Sequence, residues 1–268
     1  MQKSVLNASD TLQISEPAKG VLLVQLNRPE ARNALNTQMG RDLRDVFRPL
    51  RFTPGEWRCV VISGAGDKAF CAGGDLKERN GMDDASWRLQ HAIFEEAFYA
   101  VMDCSIPTIA AVNGAAYAGG CELALACDFI YAAAEARFAL TETTLGLIPG
   151  VGGTQNLPRA IGERRAKELI FSGIPFTSQD AMAWGMVNCV KSRESLMSSV
   201  LQVATRIAIN APIAVKQAKL SIHCGMQADL KTGLAIEVAA YDRVLSSKDR
   251  VEGISAFNEK RQPQFKGT

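Results

Sequence analysis

Histidine is scarce in this chain, with only His91 and His223 among 268 residues. Both fall in amphipathic helical patterns and neither belongs to a G-x-S-x-G elbow, which argues against a Ser-His-Asp hydrolase. The ligand spacings of a zinc site are missing as well, so no metal is expected. An excess of either charge is also lacking. Thirty Lys and Arg face 28 Asp and Glu, a net of +2, too weak a field to draw in nucleic acid or an anionic membrane. The seven cysteines are odd in number and include no C-x-x-C pair; reduced thiols in a cytoplasmic setting are expected. Long apolar runs are absent. The most apolar stretch, 106–134, is broken by Pro107, Asn113, Gly114, Gly119, Gly120, Glu122 and Asp128. It lacks the run of about 18 apolar residues that a span needs and reads as buried core. The opening residues, MQKSVLNASDTLQIS, contain neither an apolar core segment nor the arginines of a transit peptide.

What is present is the material of a packed α/β protein. The 47% apolar content excludes disorder, and the length suffices for a large core without staples. Short unbroken apolar runs at 21–26, 59–62, 108–112 and 129–131 read as strands buried on both faces. Helical patterns at 37–50 and 86–103 lie between them. That alternation favours a parallel or mixed sheet covered by helices. The second half changes to amphipathic helices at 165–171, 178–184, 194–209, 212–224, 228–245 and 248–260, with Ser178 and Ser247 as N-caps and Gly225 as a stop. The expected organisation is a sheet-rich core over 1–195, carrying any site, and a helical region over 196–268 packing on the core and on a neighbouring subunit.

Glycine marks the candidate chemistry. The run Gly64-Ala-Gly-Asp-Lys-Ala69 matches G-x-G-x-x-A, but a dinucleotide turn must open straight into a helix, and Gly73 and Gly74 stand where that helix would begin. A plain loop is the better reading. Three other clusters, at 72–77, 119–123 and 149–154, each precede a helical pattern. Such glycines serve as tight turns and caps, or they bring outward-pointing amides close to a ligand oxygen. Two amides on one oxygen would stabilise developing negative charge by about 3–4 kcal/mol per donor. Two acids complete the pattern. Glu122 and Glu142 lie among apolar and Thr positions, where a carboxylate is costly unless paired. They are either structural caps and ion pairs, or an acid–base pair whose pKa is raised by burial.

Together these segments resemble the enoyl-CoA hydratase/isomerase (crotonase) family. The matching stretches are Leu26-Asn-Arg-Pro-Glu-Ala-Arg-Asn-Ala-Leu35, Ala69-Phe-Cys-Ala-Gly-Gly-Asp-Leu-Lys77, Ile109-Ala-Ala-Val-Asn-Gly114, Gly119-Gly-Cys-Glu-Leu-Ala124, Leu145-Gly-Leu-Ile-Pro-Gly-Val-Gly-Gly-Thr-Gln155 and Glu252-Gly-Ile-Ser-Ala-Phe-Asn-Glu-Lys260. Nearly the whole chain is covered, in order. Within the family, the run Pro158-Arg-Ala-Ile-Gly162 and the C-terminal third look closest to the methylglutaconyl-CoA hydratase branch.

The resemblance implies a crotonase-like spiral of ββα turns with a C-terminal helical trimerisation region, assembled as a homotrimer or hexamer. It implies an oxyanion hole from the amides of Gly74 and Gly119, and catalysis by Glu122 and Glu142. Substrate CoA would meet Ala31, Arg32, Ala72, Gly73, Asp75, Leu76 and Lys77, with Phe257 and Lys260 approaching from a neighbouring subunit. No separate cofactor is implied, CoA being part of the substrate. Possession of both acids favours a lyase that hydrates 2-enoyl-CoA, with 3-methylglutaconyl-CoA and short-chain enoyl-CoA as candidates. Isomerisation or carnitinyl-CoA dehydration on the same scaffold is the alternative. Pocket walls near 80–100 and 140–155 would set the acyl group. Four features depart from the family pattern: Ala118 in place of the first of three glycines, Gly74, Glu30, and Thr141 in place of a proline. In another class, Arg41, Arg44, Arg48 and Arg51 form one helical stripe of the kind that binds RNA; neutral overall charge and the lack of stacking aromatics argue against it.

Overall fold

A computed structural model describes residues 9–268. The expectation of no leader rests partly on residues 1–8, which lie outside the described residues. Ten strands and eleven α-helices alternate along the described chain. The strands are β1 (Leu12–Ala18), β2 (Val21–Leu26), β3 (Cys59–Gly64), β4 (Ala69–Cys71), β5 (Thr108–Val112), β6 (Ala115–Tyr117), β7 (Phe129–Ala133), β8 (Arg137–Ala139), β9 (Phe176–Thr177) and β10 (Cys189–Lys191). The helices are α1 (Thr37–Phe52), α2 (Leu76–Arg79), α3 (Asp84–Met102), α4 (Gly119–Ala126), α5 (Gly153–Ile161), α6 (Glu163–Ser172), α7 (Ser178–Ala183), α8 (Arg193–Ala208), α9 (Pro212–Gly225), α10 (Leu230–Leu245) and α11 (Lys248–Asn258).

The strands sort into two sheets. One runs β1-β2-β3-β5-β7-β10 and the other β4-β6-β8-β9. Consecutive strands alternate between them: β3 then β4, β5 then β6, β7 then β8, each pair followed by helix. Every such turn adds one parallel strand to each sheet, which makes the chain a spiral of ββα units with no hairpin inside it. Both β3 and β5 are buried throughout, as unbroken apolar runs require when helices or a second sheet cover both faces. Helix α8 lies across the large sheet, touching β1, β2, β3, β5, β7 and β10. Helices α1 and α3 pack on each other, and α9 pairs with α10.

The expected long strands and helices are present, with ends displaced by a few residues. The second sheet was not anticipated, because strands of two or three residues are too short to display a period. Helix α7 is capped by Thr177, not Ser178: Thr177 and Asp180 exchange side-chain to backbone bonds in a capping box, and Ser178 is the first helical residue. Ser247 caps α11 as expected, accepting from the Arg250 N–H at 3.1 Å.

The spiral places two backbone segments in close register. After β4 the chain meets Leu35 in a parallel bridge at Gly74. After β6 it turns at Ala118 into α4. A side chain at Gly120 would overlap the Cys71 carbonyl oxygen, so only glycine lets α4 begin against β4. Ala118 makes that turn with φ 48° and ψ −124°, a region that L residues rarely adopt and that costs on the order of 1–3 kcal/mol. Replacing Ala118 with Gly relieves this strain at a smaller entropic loss in the unfolded chain. Ala118→Gly is therefore expected to stabilise by about 1 kcal/mol, read in calorimetry as a Tm increase of about 2–4 °C. An unchanged or lower Tm would show that the turn is not strained.

Candidate active site

Gly74 and Gly119 each leave one amide without a backbone acceptor. In the bridge at Gly74, Leu35 N–H donates to the Gly73 carbonyl and Asp75 N–H donates to the Leu35 carbonyl, both at 2.8 Å. The intervening Gly74 N–H therefore points away from Leu35. Gly119 opens α4, so its N–H has no intrahelical partner. A Cβ on Gly119 would stand 4.0 Å from the Gly74 nitrogen, which measures how near the two segments come. The loop before α2 is locked from behind. Asp75 accepts from the amides of Lys77 and Glu78 and pairs with Arg28 at 2.9 Å. Burial pushes the Asp75 carboxyl up, but the Arg28 guanidinium and the helix amides outweigh it and hold it below the ordinary range. Asn33, fully buried, ties the same corner together by donating to the carbonyls of Ala65 and Ala69 and accepting from Arg28 N–H.

Glu122 lies one turn into α4, 2% exposed. Its Oε1 accepts from the amides of Val151 at 2.9 Å and Gly153 at 2.8 Å. The carboxylate thus sits at the start of α5, where free N–H groups favour an anion. Gly153 is required there, since a Cβ would come 2.9 Å from Glu122 Oε1. Burial raises the Glu122 pKa and these two amides partly offset it. Glu142 begins the 3-10 turn Glu142–Leu145 after β8. That turn is anchored by Thr143 Oγ1, which donates to the Ile170 carbonyl, and by Thr144 Oγ1, which donates to the Thr141 carbonyl. Two threonine hydroxyls thus fix the acid without a proline at position 141. Glu142 Oε2 is buried and has no hydrogen-bond partner. Burial, partly opposed by a hydrogen bond from its own backbone amide and reinforced by the nearby Glu122 charge, pushes its pKa up to about 7.

These groups face one cavity of about 160 Å³. Gly74, Gly119, Glu122 and Glu142 all line it, together with Ala72 and Leu76. Its far wall comes from α3, through Trp87, His91, Phe94 and Phe98, and from Leu145, Leu147 and Ile148. Of the other residues singled out in the sequence, Gly73 gives its carbonyl to Leu35, Asp75 is committed to Arg28 and α2, and Lys77 is exposed on α2. Ala31 and Arg32 lie in the turn held by Asn33, and Arg32 has φ 52°. Phe257 and Lys260 are exposed at the end of α11 and do not line the cavity. Along α1, Arg44 pairs with Asp45 and Glu96, and Arg51 pairs with Asp103, so half of the arginine stripe is internally neutralised. Sequence reasoning did not single out Arg79, which lines the cavity from the end of α2, nor the Val151 and Gly153 amides. No group of three His, Cys, Asp or Glu among the described residues could hold a metal. Among the same residues, no single helix is long and apolar enough to cross a membrane.

A spiral α/β scaffold that brings two free amides and two sheltered carboxylates to one cavity defines an enzyme of acyl-thioester type. The chain belongs to the enoyl-CoA hydratase/isomerase family, whose model matches residues 16–268. It is 43% identical over 258 residues to a putative enoyl-CoA hydratase/isomerase of Bacillus subtilis, covering 96% of this chain and 99% of that protein. It is 39% identical to the mitochondrial methylglutaconyl-CoA hydratase of Mus musculus, over 98% of this chain and 86% of the relative. The crystal structure of an enoyl-CoA hydratase from Bacillus anthracis superposes with a TM-score of 0.94 at 43% identity, over 96% of this chain and all of that one. The resemblance read from the motifs and the crotonase-like fold are both borne out.

The raised Glu142 pKa has a stability consequence. The folded state binds this proton more tightly than the unfolded state, so stability is full below the ordinary value of 4.5 and declines as pH rises through about 7. Glu142→Gln removes the buried charge. Its Tm should exceed that of the parent at about pH 8, and the difference should close near pH 4. Parallel thermal melts across that range test this, and equal displacements at both ends would refute it.

Proposed function

We propose that this protein is a hydro-lyase that adds water reversibly, on one face, across the C2=C3 bond of a 2-enoyl-CoA thioester. The observation that carries this reading is the convergence of two sheltered carboxylates and two unengaged amides on a single cavity. The thioester carbonyl accepts from Gly74 N–H and Gly119 N–H, and enolate charge developing on that oxygen also meets the positive end of the α4 dipole. Glu122, whose charged form the Val151 and Gly153 amides favour against burial, takes a proton from water as its oxygen bonds to C3. Glu142, whose pKa lies near neutrality, holds the proton that is delivered to C2. Return of the proton from Glu122 to Glu142 restores the starting state.

CoA lies, in this reading, along the backbone of Ala31–Arg32 and of 72–76. Asp75 can offer only its main chain, because its carboxylate is engaged by Arg28 and the α2 amides. Lys77 is free to meet a phosphate. Phe257 and Lys260 serve a neighbouring copy, in a trimer or a pair of trimers. The support is the density of exposed apolar side chains on α9–α11, where Met226, Leu230, Val238, Tyr241 and Phe257 are all more than half exposed. A surface of that kind marks an interface. For the acyl group, 3-methylglutaconyl-CoA and short-chain enoyl-CoA are both open, since relatives bearing each name are 39% identical.

Isomerisation is the competing reading, and one assay separates the two. Hydration removes the absorbance of the conjugated enoyl thioester, whereas isomerisation of a 3-enoyl substrate creates it. Loss of absorbance with crotonyl-CoA is expected. Glu122→Gln and Glu142→Gln should each lower that rate by at least about a hundredfold; near-full activity in either variant would defeat the two-acid mechanism. Sedimentation at micromolar concentration should report three or six times the chain mass of 28.9 kDa. A monomer would remove Phe257 and Lys260 from the site.

A further inference from the structure

The stretch Leu26–Leu35 lends only backbone to the CoA path proposed above, yet it carries a half-buried cation, Arg28. The Arg28 guanidinium does not line the cavity and reaches the Gly74 loop from outside the chamber. Its Nη1 donates to the Ala34 carbonyl at 2.7 Å, and its Nη2 pairs with Asp75 Oδ2 at 2.9 Å. Both charged side chains are sheltered, at 19% and 11% exposed. One fork thus holds both chains of the bridge between Leu35 and Gly74. It grips the first chain one residue before the bridge and the second chain one residue after it.

These bonds run in series. The Ala34 carbonyl and Leu35 N–H belong to one peptide plane, and the Gly73 carbonyl and Gly74 N–H belong to another. Arg28 Nη1 donates to the first carbonyl, Leu35 N–H donates to the Gly73 carbonyl at 2.8 Å, and Gly74 N–H is the free end. Each plane is rigid and trans, so its N–H points opposite to its carbonyl. Fixing the Ala34 carbonyl therefore aims the Leu35 donor, and fixing the Gly73 carbonyl aims the Gly74 donor. Hydrogen bonds in a line also polarise one another, by about 10–30% per bond, and here a cation stands at the head of the line. The other arm of the fork closes the frame: Asp75 N–H returns to the Leu35 carbonyl at 2.8 Å while Nη2 holds its carboxylate. Local structure does not secure this donor. Gly73 has φ 93°, two adjacent glycines leave the main chain free to turn, and α2 has only four residues, too few to hold its own start. Gly119, by contrast, opens an eight-residue helix seated on β4.

We infer that Arg28 is a positioning residue for the oxyanion hole: without touching substrate, it aims and polarises the Gly74 N–H through the Ala34–Leu35 and Gly73–Gly74 peptide planes. This rests on the hydratase reading for the thioester oxygen that meets that N–H.

Infrared difference spectra of bound butanoyl-CoA, isotopically labelled at the thioester carbonyl, read the hole without turnover. Donors on that oxygen lower the C=O stretching frequency, and the native protein should show it lowered. Arg28→Met should lose roughly half of the displacement, one donor's share of two, while the dissociation constant changes by less than about tenfold, the most that one hydrogen bond to a neutral carbonyl supplies. For hydration of crotonyl-CoA, kcat should fall at least about thirtyfold with a much smaller change in KM, toward the hundredfold and more that follows outright loss of a donor. Arg28→Lys should lie between, since an ammonium can pair with Asp75 but lacks the fork that also holds Ala34. The double variant Arg28→Met/Asp75→Asn leaves no unpaired charge and should match Arg28→Met, because both side chains act through one bridge. A merely structural role would lower Tm and leave the stretch of the bound thioester as in the parent; that result in Arg28→Lys and the double variant overturns the inference even if Arg28→Met does not fold. A stretch that is not lowered in the parent overturns it as well. Hydration with a displacement independent of Arg28 refutes the inference alone, and an Arg28-dependent displacement without hydration refutes the hydratase reading alone.

Discussion

The first turn of α4 rests on β4 at a separation that admits no side chain, and the site is built outward from that contact. Gly120 sets the distance by lacking a Cβ above the Cys71 carbonyl. One residue earlier, Gly119 then presents its amide next to the Gly74 segment. Two residues later, Glu122 is carried under the helix to the start of α5, where the Val151 and Gly153 amides meet it. Position and chemistry are thus consequences of one steric approach. The strained Ala118 turn is tolerated because the bonds on both sides of it, Ala118 N–H to Ala139 and Glu122 N–H to Ala118, are made at 2.8 and 3.0 Å.

The two acids are sheltered by similar surroundings and treated differently. Glu122 is solvated by protein amides, which favour its charge. Glu142 has an oxygen with no partner, which favours its proton. Such pairs of unlike environments are how one site supplies a base and an acid at the same pH. The separation depends on two backbone segments, the Gly152-Gly153 entry into α5, whose Gly153 amide bonds Glu122, and the threonine-anchored turn at 142–145.

Legibility in the sequence followed the length scale of each signal. Strands of five or six residues such as β2, β3 and β5 stood out as apolar runs, and the long helices as amphipathic periods. The four-stranded sheet was invisible, because Ala69–Cys71 or Arg137–Ala139 carries too few residues to show alternation. Glu122 and Glu142 were legible because an acid among apolar neighbours is conspicuous. Arg79 was not, since in Leu76-Lys-Glu-Arg79 it looks like one more surface charge. Only the fold turns it beneath Trp87 and against Gln90. Asn33 was hidden for the same reason: a polar residue in a turn carries no mark of complete burial until the segments it bonds are brought around it.

The division of labour between main chain and side chains bears on how this scaffold changes over generations. A point substitution can delete a carboxylate or a guanidinium, but it leaves the peptide N–H of residues 74 and 119 in place so long as the turn is preserved. Genetic drift therefore has free access to the acid pair and to the side chains of the cavity wall, while the two unengaged amides are inherited almost intact. A lineage starting here can change what lines its cavity in single codon steps without ever passing through an ancestor that lacks the two main-chain donors.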